Sequence, residues 1–172
     1  GAMARDQIAA ICEVRDIERV TVWSRDPSRA DALANEVGGI SAATREEAVE
    51  GAAIVTTATP STAPLFDGNC LGARVHVNAI GAFTPAMTEI PPEFVREAFV
   101  VVDDRGAAAL EAGDLIQADR VPDIDVAELL ADPPFEPPPR TLFKSVGVAT
   151  QDVAAAVVAL ENANRMGLGV SV

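Results

Sequence analysis

The sequence predicts an α/β protein built on a doubly wound parallel sheet, and three observations point there. Short β-branched apolar runs at 53–57, 75–80 and 99–102 read as strands of a parallel sheet buried on both faces. Between them lie segments of helical spacing that open on capping residues and stop at glycines. After Asn78 the residues are small (Ala79, Gly81, Ala82), so a flat ligand can lie against the backbone at the strand end where open α/β sheets bind ligands.

Taken in order, residues 4–14 set Ala4, Ile8, Ile11 and Cys12 on one helical stripe. Residues 20–23 (Val-Thr-Val-Trp) follow as a strand. Asp26-Pro27-Ser28 then supplies a helix cap with proline at the first helical position, opening a helix through Val37 that stops at Gly38-Gly39. Ile40 starts a short strand, and Thr44-Arg45-Glu46-Glu47 opens a capped helix to Gly51. The strand at 53–57 comes next, then the strand at 75–80. Beyond it an apolar loop leads to Thr88 or Glu89, where another helical segment is expected to start. Pro91-Pro92-Glu93 opens a helix to Ala98, followed by the strand at 99–102. Asp103 or Asp104 caps a helix across 107–112 that ends at Gly113. The proline-rich stretch 132–139 reads as a stiff surface connection. Residues 141–145 form a strand, and 151–166 the longest helix.

Composition bounds the possibilities. At 172 residues, 49% hydrophobic and 23% charged, the chain fits one globular domain, residues 1–172, with a substantial core. Its net charge of −13 repels a phosphate backbone, so nucleic acid is not an expected partner. Cys12 and Cys70 lack a CxxC or Cys/His cluster; they read as reduced thiols, and no zinc site or disulfide scaffold is expected. The apolar tract 153–160 is too short to span a bilayer, and no leader pattern opens the chain. The expected location is cytoplasmic.

One element is out of place. A dinucleotide fold begins with a central strand and a glycine-rich turn that presents helix N–H groups to a pyrophosphate, yet here the first helix has no strand before it. Gly1-Ala2-Met3 reads either as the last half of such a turn or as a cloning scar. Without the central strand, the strands at 20–23 and 53–57 are left with unpaired backbone. Another polypeptide is therefore expected to supply it, or the strands to pair abnormally or swap between copies.

The run His76-Val77-Asn78-Ala79-Ile80-Gly81-Ala82-Phe83-Thr84-Pro85-Ala86-Met87-Thr88-Glu89-Ile90 resembles the HVNAxGAFxPxMxEL signature of the ornithine cyclodeaminase/mu-crystallin family, whose members bind a nicotinamide dinucleotide. Thr57-Ala58-Thr59-Pro60-Ser61 is similar to that family's TATPS/TATSS segment. The stretch from Thr141 to Asp152, TLFKSVGVATQD, is similar to its TLFKSVGxAxQD segment. The resemblance covers nearly the whole chain but only about half of a family member. It implies a partial, Rossmann-type NAD(P)-binding domain without the amino-terminal substrate and dimerisation domain, which in the family supplies a lysine and an arginine for the substrate carboxylate.

Candidate site residues divide by origin. Ser24 and Arg25 at the tip of the second predicted strand, with Arg29 one helical turn on, suit a 2′-phosphate, so NADP(H) is expected over NAD(H). Asp26 reads as a cap. The resemblance implies that Ala58, Thr59 and Ser61 lie along the cofactor's ribose and pyrophosphate; Thr59 and Ser61 would donate hydrogen bonds or cap a turn. Asn78, Ile80 and Gly81 stand at the ligand-binding end of their strand, whereas His76, inside it, reads as structural. Ser145 and Gly147, with Val146, are implied to approach the nicotinamide. Lys144 would pair with a substrate carboxylate or form a surface salt bridge. No catalytic residue can be assigned.

Phe83 is the informative departure. Cyclodeaminases of the family are similar to GGDxPGKTEL here, with an aspartate at this position for proton transfer and water activation. Phenylalanine can do neither, so cyclodeamination is disfavoured. Members with GAF-type loops look like imine reductases acting on cyclic ketimines such as pyrroline-2- or piperideine-2-carboxylate. The ring of Phe83 can form an apolar wall to such a pocket. Competing readings are a cyclodeaminase or amino-acid dehydrogenase, a non-catalytic NADPH or small-ligand binder, and an inactive truncated domain. Expected partners are a small imino or amino acid and a further copy or a second chain.

Overall fold

The computed structural model describes residues 2–131, 136 and 138–169; most of the proline-rich stretch and Gly1 of the Gly1-Ala2-Met3 segment lie outside them. Strand pairing is parallel throughout, but in two separate sheets. β1 (Thr21–Val22) pairs with β2 (Ile40–Ser41). The larger sheet has the order β3-β4-β7-β5-β6, comprising β3 (Ile54–Thr57), β4 (Val75–Ala79), β7 (Arg140–Lys144), β5 (Phe99–Val102) and β6 (Ile124–Asp125). The returning strand β7 inserts between β4 and β5, with Val77 and Val100 both opposite Leu142.

β1 pairs only with β2, and β3 pairs among named strands only with β4, so each keeps an open edge among the described residues. The strands expected at 20–23 and 53–57 therefore do not pair with each other among the described residues.

The helices form where the sequence provides caps. α2 (Pro27–Val37) starts at Asp26, whose side chain accepts from Ser28 N, and ends at Gly38 in a left-handed conformation, φ 68°. α3 (Arg45–Val49) carries a full capping box between Thr44 and Glu47. α5 (Arg105–Glu111) is capped by Asp104, which leaves Asp103 free for another task. α4 (Pro92–Glu97) opens on the second of the two prolines, with Pro91 at its N-cap.

Several expectations need correction. The strands are not buried on both faces: in β3, β4 and β5 burial alternates residue by residue. Val55, Val75, Val77, Ala79, Val100, Val102 and Leu142 build the main core with Phe94, Val95 and Leu115 from the adjoining helices. His76, Asn78, Thr141 and Phe143 on the other face are only half-buried. Thr88 and Glu89 do not start a helix; Thr88 forms an isolated bridge to Thr62, and the helix waits for Pro92. The helix expected to end at Gly113 does stop just before it, at Glu111, but a new helix, α6 (Gly113–Gln117), begins there. A Cβ at Gly113 would lie 1.9 Å from Met87 O, so this glycine permits close packing against the loop.

The 3-10 turn Gly68–Cys70, β6 and α7 (Val126–Ala131) had no clear signal in the sequence, being short and weakly patterned. α1 (Ala2–Val14) buries no residue fully, but Ala4 and Ile8 pack on a second, smaller core of Val22, Ala30, Leu33 and Ala34. The longest helix, α8 (Ala149–Met166), has no buried residue and exposes Val153, Val157, Val158 and Leu160.

Candidate functional site

A cleft of about 310 Å³ lies at the carboxyl ends of β3 and β4. It is lined by Ala58, Thr59 and Pro60 after β3, by Ile80, Gly81 and Phe83 after β4, and by Met3 from the first turn of α1. Four predicted cofactor residues (Ala58, Thr59, Ile80, Gly81) thus meet in one place with the predicted pocket residue Phe83. Phe83 is 52% exposed, so its ring walls the cleft and does not fill the core. Met3, in the first turn of α1, lies beside the cleft.

The loops around the cleft are held by acids that sequence reasoning missed, Glu89 and Asp114 buried and Asp103 half-buried. Glu89 is fully buried. Its Oε1 accepts hydrogen bonds from Thr59 N (2.7 Å) and Thr59 Oγ1 (2.8 Å), and its Oε2 accepts from Gly81 N (2.8 Å) and Ala82 N (3.2 Å). Asp114, from α6, accepts at Oδ1 from Thr88 Oγ1, Glu89 N and Ile90 N. Asp103, at the end of β5, accepts at Oδ2 from Ser145 Oγ, Val146 N and Gly147 N, fixing the turn after β7. The signal for Glu89 was available: one acid in an otherwise apolar run has to be paired if it is buried.

These bonds revise individual roles. The Thr59 hydroxyl proton goes to Glu89, and that of Ser61 to Ala63 O at 2.6 Å, so Ser61 serves the turn and neither hydroxyl is a free donor. Ser145 and Gly147 are bound by Asp103; Gly147 takes φ 84°, which favours glycine. Lys144 is neither a surface salt bridge nor open to a substrate. Its side chain is fully buried, with Nζ 3.1 Å from Asp114 Oδ2, off the direction of a formal hydrogen bond, and its protons directed at the carbonyls of Ala79 and Ala82.

Asn78 lies inside β4, where its Oδ1 meets His76 Nε2 at 3.1 Å, and His76 Nδ1 meets Thr141 Oγ1 at 2.7 Å. His76 is therefore a satisfied structural histidine. Burial pushes its pKa below the ordinary histidine value, and the hydrogen bond to Asn78 opposes that.

At the end of β1, Arg25 is exposed and makes no hydrogen bond or ion pair among the described residues. Ser24 Oγ accepts from Asp26 N at 3.3 Å. Arg29 lies 3.4 Å from Asp26, whose pKa is lowered mainly by its hydrogen bond from Ser28. The Arg45 guanidinium stacks 5.6 Å from the Trp23 ring centroid beside this tip.

A sequence profile of the ornithine cyclodeaminase/mu-crystallin family matches residues 1–167. The chain belongs to that family. Mouse (Mus musculus) ketimine reductase mu-crystallin is 31% identical over 159 residues, which is 91% of this chain and 51% of the mouse protein. A solved structure of Thermococcus litoralis Δ1-pyrroline-2-carboxylate reductase in complex with NADH and L-proline superposes with a TM-score of 0.91 at 30% identity, covering all of this chain and 58% of that one. An archaeal alanine dehydrogenase dimer with bound NAD gives a TM-score of 0.89 at 28% identity, covering 100% of this chain and 57% of that one. This family member spans about half the length of the relatives it matches. The neighbours establish its fold as a Rossmann-type α/β domain.

Proposed function

We propose that this chain is the cofactor-binding portion of an NADP(H)-dependent oxidoreductase that reduces cyclic ketimines of the pyrroline- or piperideine-2-carboxylate type. The observation that carries it is the cleft itself: small residues (Ala58, Gly81) and an exposed aromatic ring line it, and among the described residues no acid does. The residues fit a dinucleotide, because small side chains at two adjacent strand ends leave a cleft beside the start of α1. When bound, the nicotinamide supplies or accepts a hydride. Phe83 contributes a dry wall and offers no carboxyl for proton transfer, which favours imine reduction over deamination.

Ser24 and Arg25 support the phosphorylated cofactor. A guanidinium without an internal partner can donate a planar pair of hydrogen bonds to a 2′-phosphate. The two solved neighbours hold NADH and NAD, so the preference rests on those two residues. The proposed setting is cytoplasmic, as a homo-oligomer or with a second chain that completes the sheet. Among the described residues no helix is long and apolar enough to cross a membrane.

Fluorescence titration with NADPH and NADH tests this reading. NADPH is expected to bind more tightly, and Arg25→Ala to weaken NADPH about tenfold, the worth of one charge-assisted contact, with little change for NADH. Failure to bind either nucleotide would remove the reading. Addition of the half of the fold present in its relatives is expected to restore reduction of a cyclic ketimine.

A further inference from the structure

We infer that Glu89 is a positioning residue for the dinucleotide, a buried carboxylate that sets the spacing of the two loops flanking the cleft. The inference rests on the cofactor reading above and deepens it.

β3 and β4 are joined by their ladder as far as Thr57 and Ala79, and Ile80 N donates to Thr57 O at 3.0 Å as the last rung. Beyond that rung, among the described residues, the next backbone bond between the two loops is Thr88 N to Ser61 O at 2.9 Å, past the residues that line the cleft, where both loops turn. Glu89 takes over the connection. Each of its oxygens serves one loop: Oε1 takes both donors of Thr59, and Oε2 takes the N–H groups of Gly81 and Ala82. The loops approach so closely that a Cβ at Gly81 would lie 2.1 Å from Thr59 N and 2.7 Å from Glu89 Oε1.

The carboxylate cannot swing. Asp114 grips the backbone N–H of Glu89 at 2.6 Å and that of Ile90 at 2.9 Å, Glu89 O accepts from Leu65 N at 2.8 Å, and Lys144 ties Ala82 O to the same cluster. Four donors converge on one side chain, and only an acceptor on both arms satisfies them. A carboxylate does so. An amide of equal length presents one acceptor and one donor, so it must release one of the two loops.

Glu89 touches no reacting atom, and its effect passes through Thr59 and Gly81, which do line the cleft. The part of a dinucleotide that spans those loops should feel its loss. The adenosine end, expected at Ser24 and Arg25 on the other sheet, should not. A purely structural role would weaken both ends together.

The experiment is a titration of wild-type chain and Glu89→Gln with NADPH, NADH and adenosine 2′,5′-bisphosphate, with amide NMR of Thr59, Gly81 and Ala82 as a direct reading of the loops. The expected result is at least about tenfold weaker binding of both dinucleotides, within about twofold for the bisphosphate, with loss of the carboxylate-bonded amide shift at one loop. Equal weakening of all three ligands, or unchanged dinucleotide affinity, overturns the inference. If Glu89→Gln does not fold, Thr59→Val removes only the hydroxyl link and should show the same asymmetry at about two- to fivefold; its absence overturns the inference equally. A wild-type chain that binds none of the three ligands overturns the dinucleotide reading itself.

Discussion

Gly81 carries the tightest steric constraint in the cleft. A methyl group there would lie 2.1 Å from Thr59 N and 2.4 Å from Thr59 O, both backbone atoms that cannot step aside. Gly81→Ala should therefore push the loops apart, costing about 1–3 kcal/mol in urea unfolding and weakening nucleotide binding. His76 gives a second residue-scale expectation. Its folded pKa is lowered, chiefly by burial, so the folded chain binds fewer protons than the unfolded one just below the ordinary histidine pKa. Its contribution to stability is then full above about pH 6.5 and lost as the pH falls below that value. Replacing His76 with Leu should flatten the stability curve just below about pH 6.5; an unchanged slope would mean the imidazole does not titrate there. At this scale the identity of Gly81, Ala58 and Phe83 as cleft residues was legible in the sequence. The fixing of Thr59 by Glu89 was not, because the partners are 30 positions apart.

Between elements, the decisive contact joins β7, α6 and the loop before α4. Lys144 and Asp114 are buried beyond the reach of water, and Asp114 also holds the backbone of Glu89 and Ile90. Lys144→Met would leave a buried carboxylate without its counter-charge, with an expected loss of about 3–5 kcal/mol in chemical denaturation. The double variant Lys144→Met/Asp114→Asn should recover part of that loss, since the amide keeps one acceptor and the charge is gone. A single variant as stable as wild type would show that the pair is dispensable. The caps at Asp26, Thr44 and Asp104 could be read directly, because a cap and its target lie within three residues of each other. The second role of Gly113, its close approach to Met87 O, was not legible for the opposite reason. A glycine that ends a helix and one that admits a neighbouring backbone look alike until the neighbour is known.

For the whole molecule, the division into two parallel sheets is the main consequence of the chain's composition of strands. Among the described residues β1 and β3 each present an open edge, and α8 presents an apolar face with no buried residue. Open edges pair with whatever strand is available. The isolated chain is therefore expected to associate, and light scattering after size exclusion should give a mass above 17.8 kDa. A monomer across the micromolar range would show that both edges tolerate solvent.

The sequence by itself determined the elements with local causes: apolar β-branched runs, caps, glycine stops, and the order in which strand ends with small residues appear. It also carried the family, through three motifs spread along the chain. Tertiary structure alone decided which face of each strand is buried, where β7 inserts, and that Lys144, Asp114 and Glu89 form one buried charged cluster beneath the cleft. The physical reason is range. Dihedral preference and capping act within a turn or two, whereas the pairing of a buried charge is settled by whichever distant group the packed sheet brings within 3 Å or so.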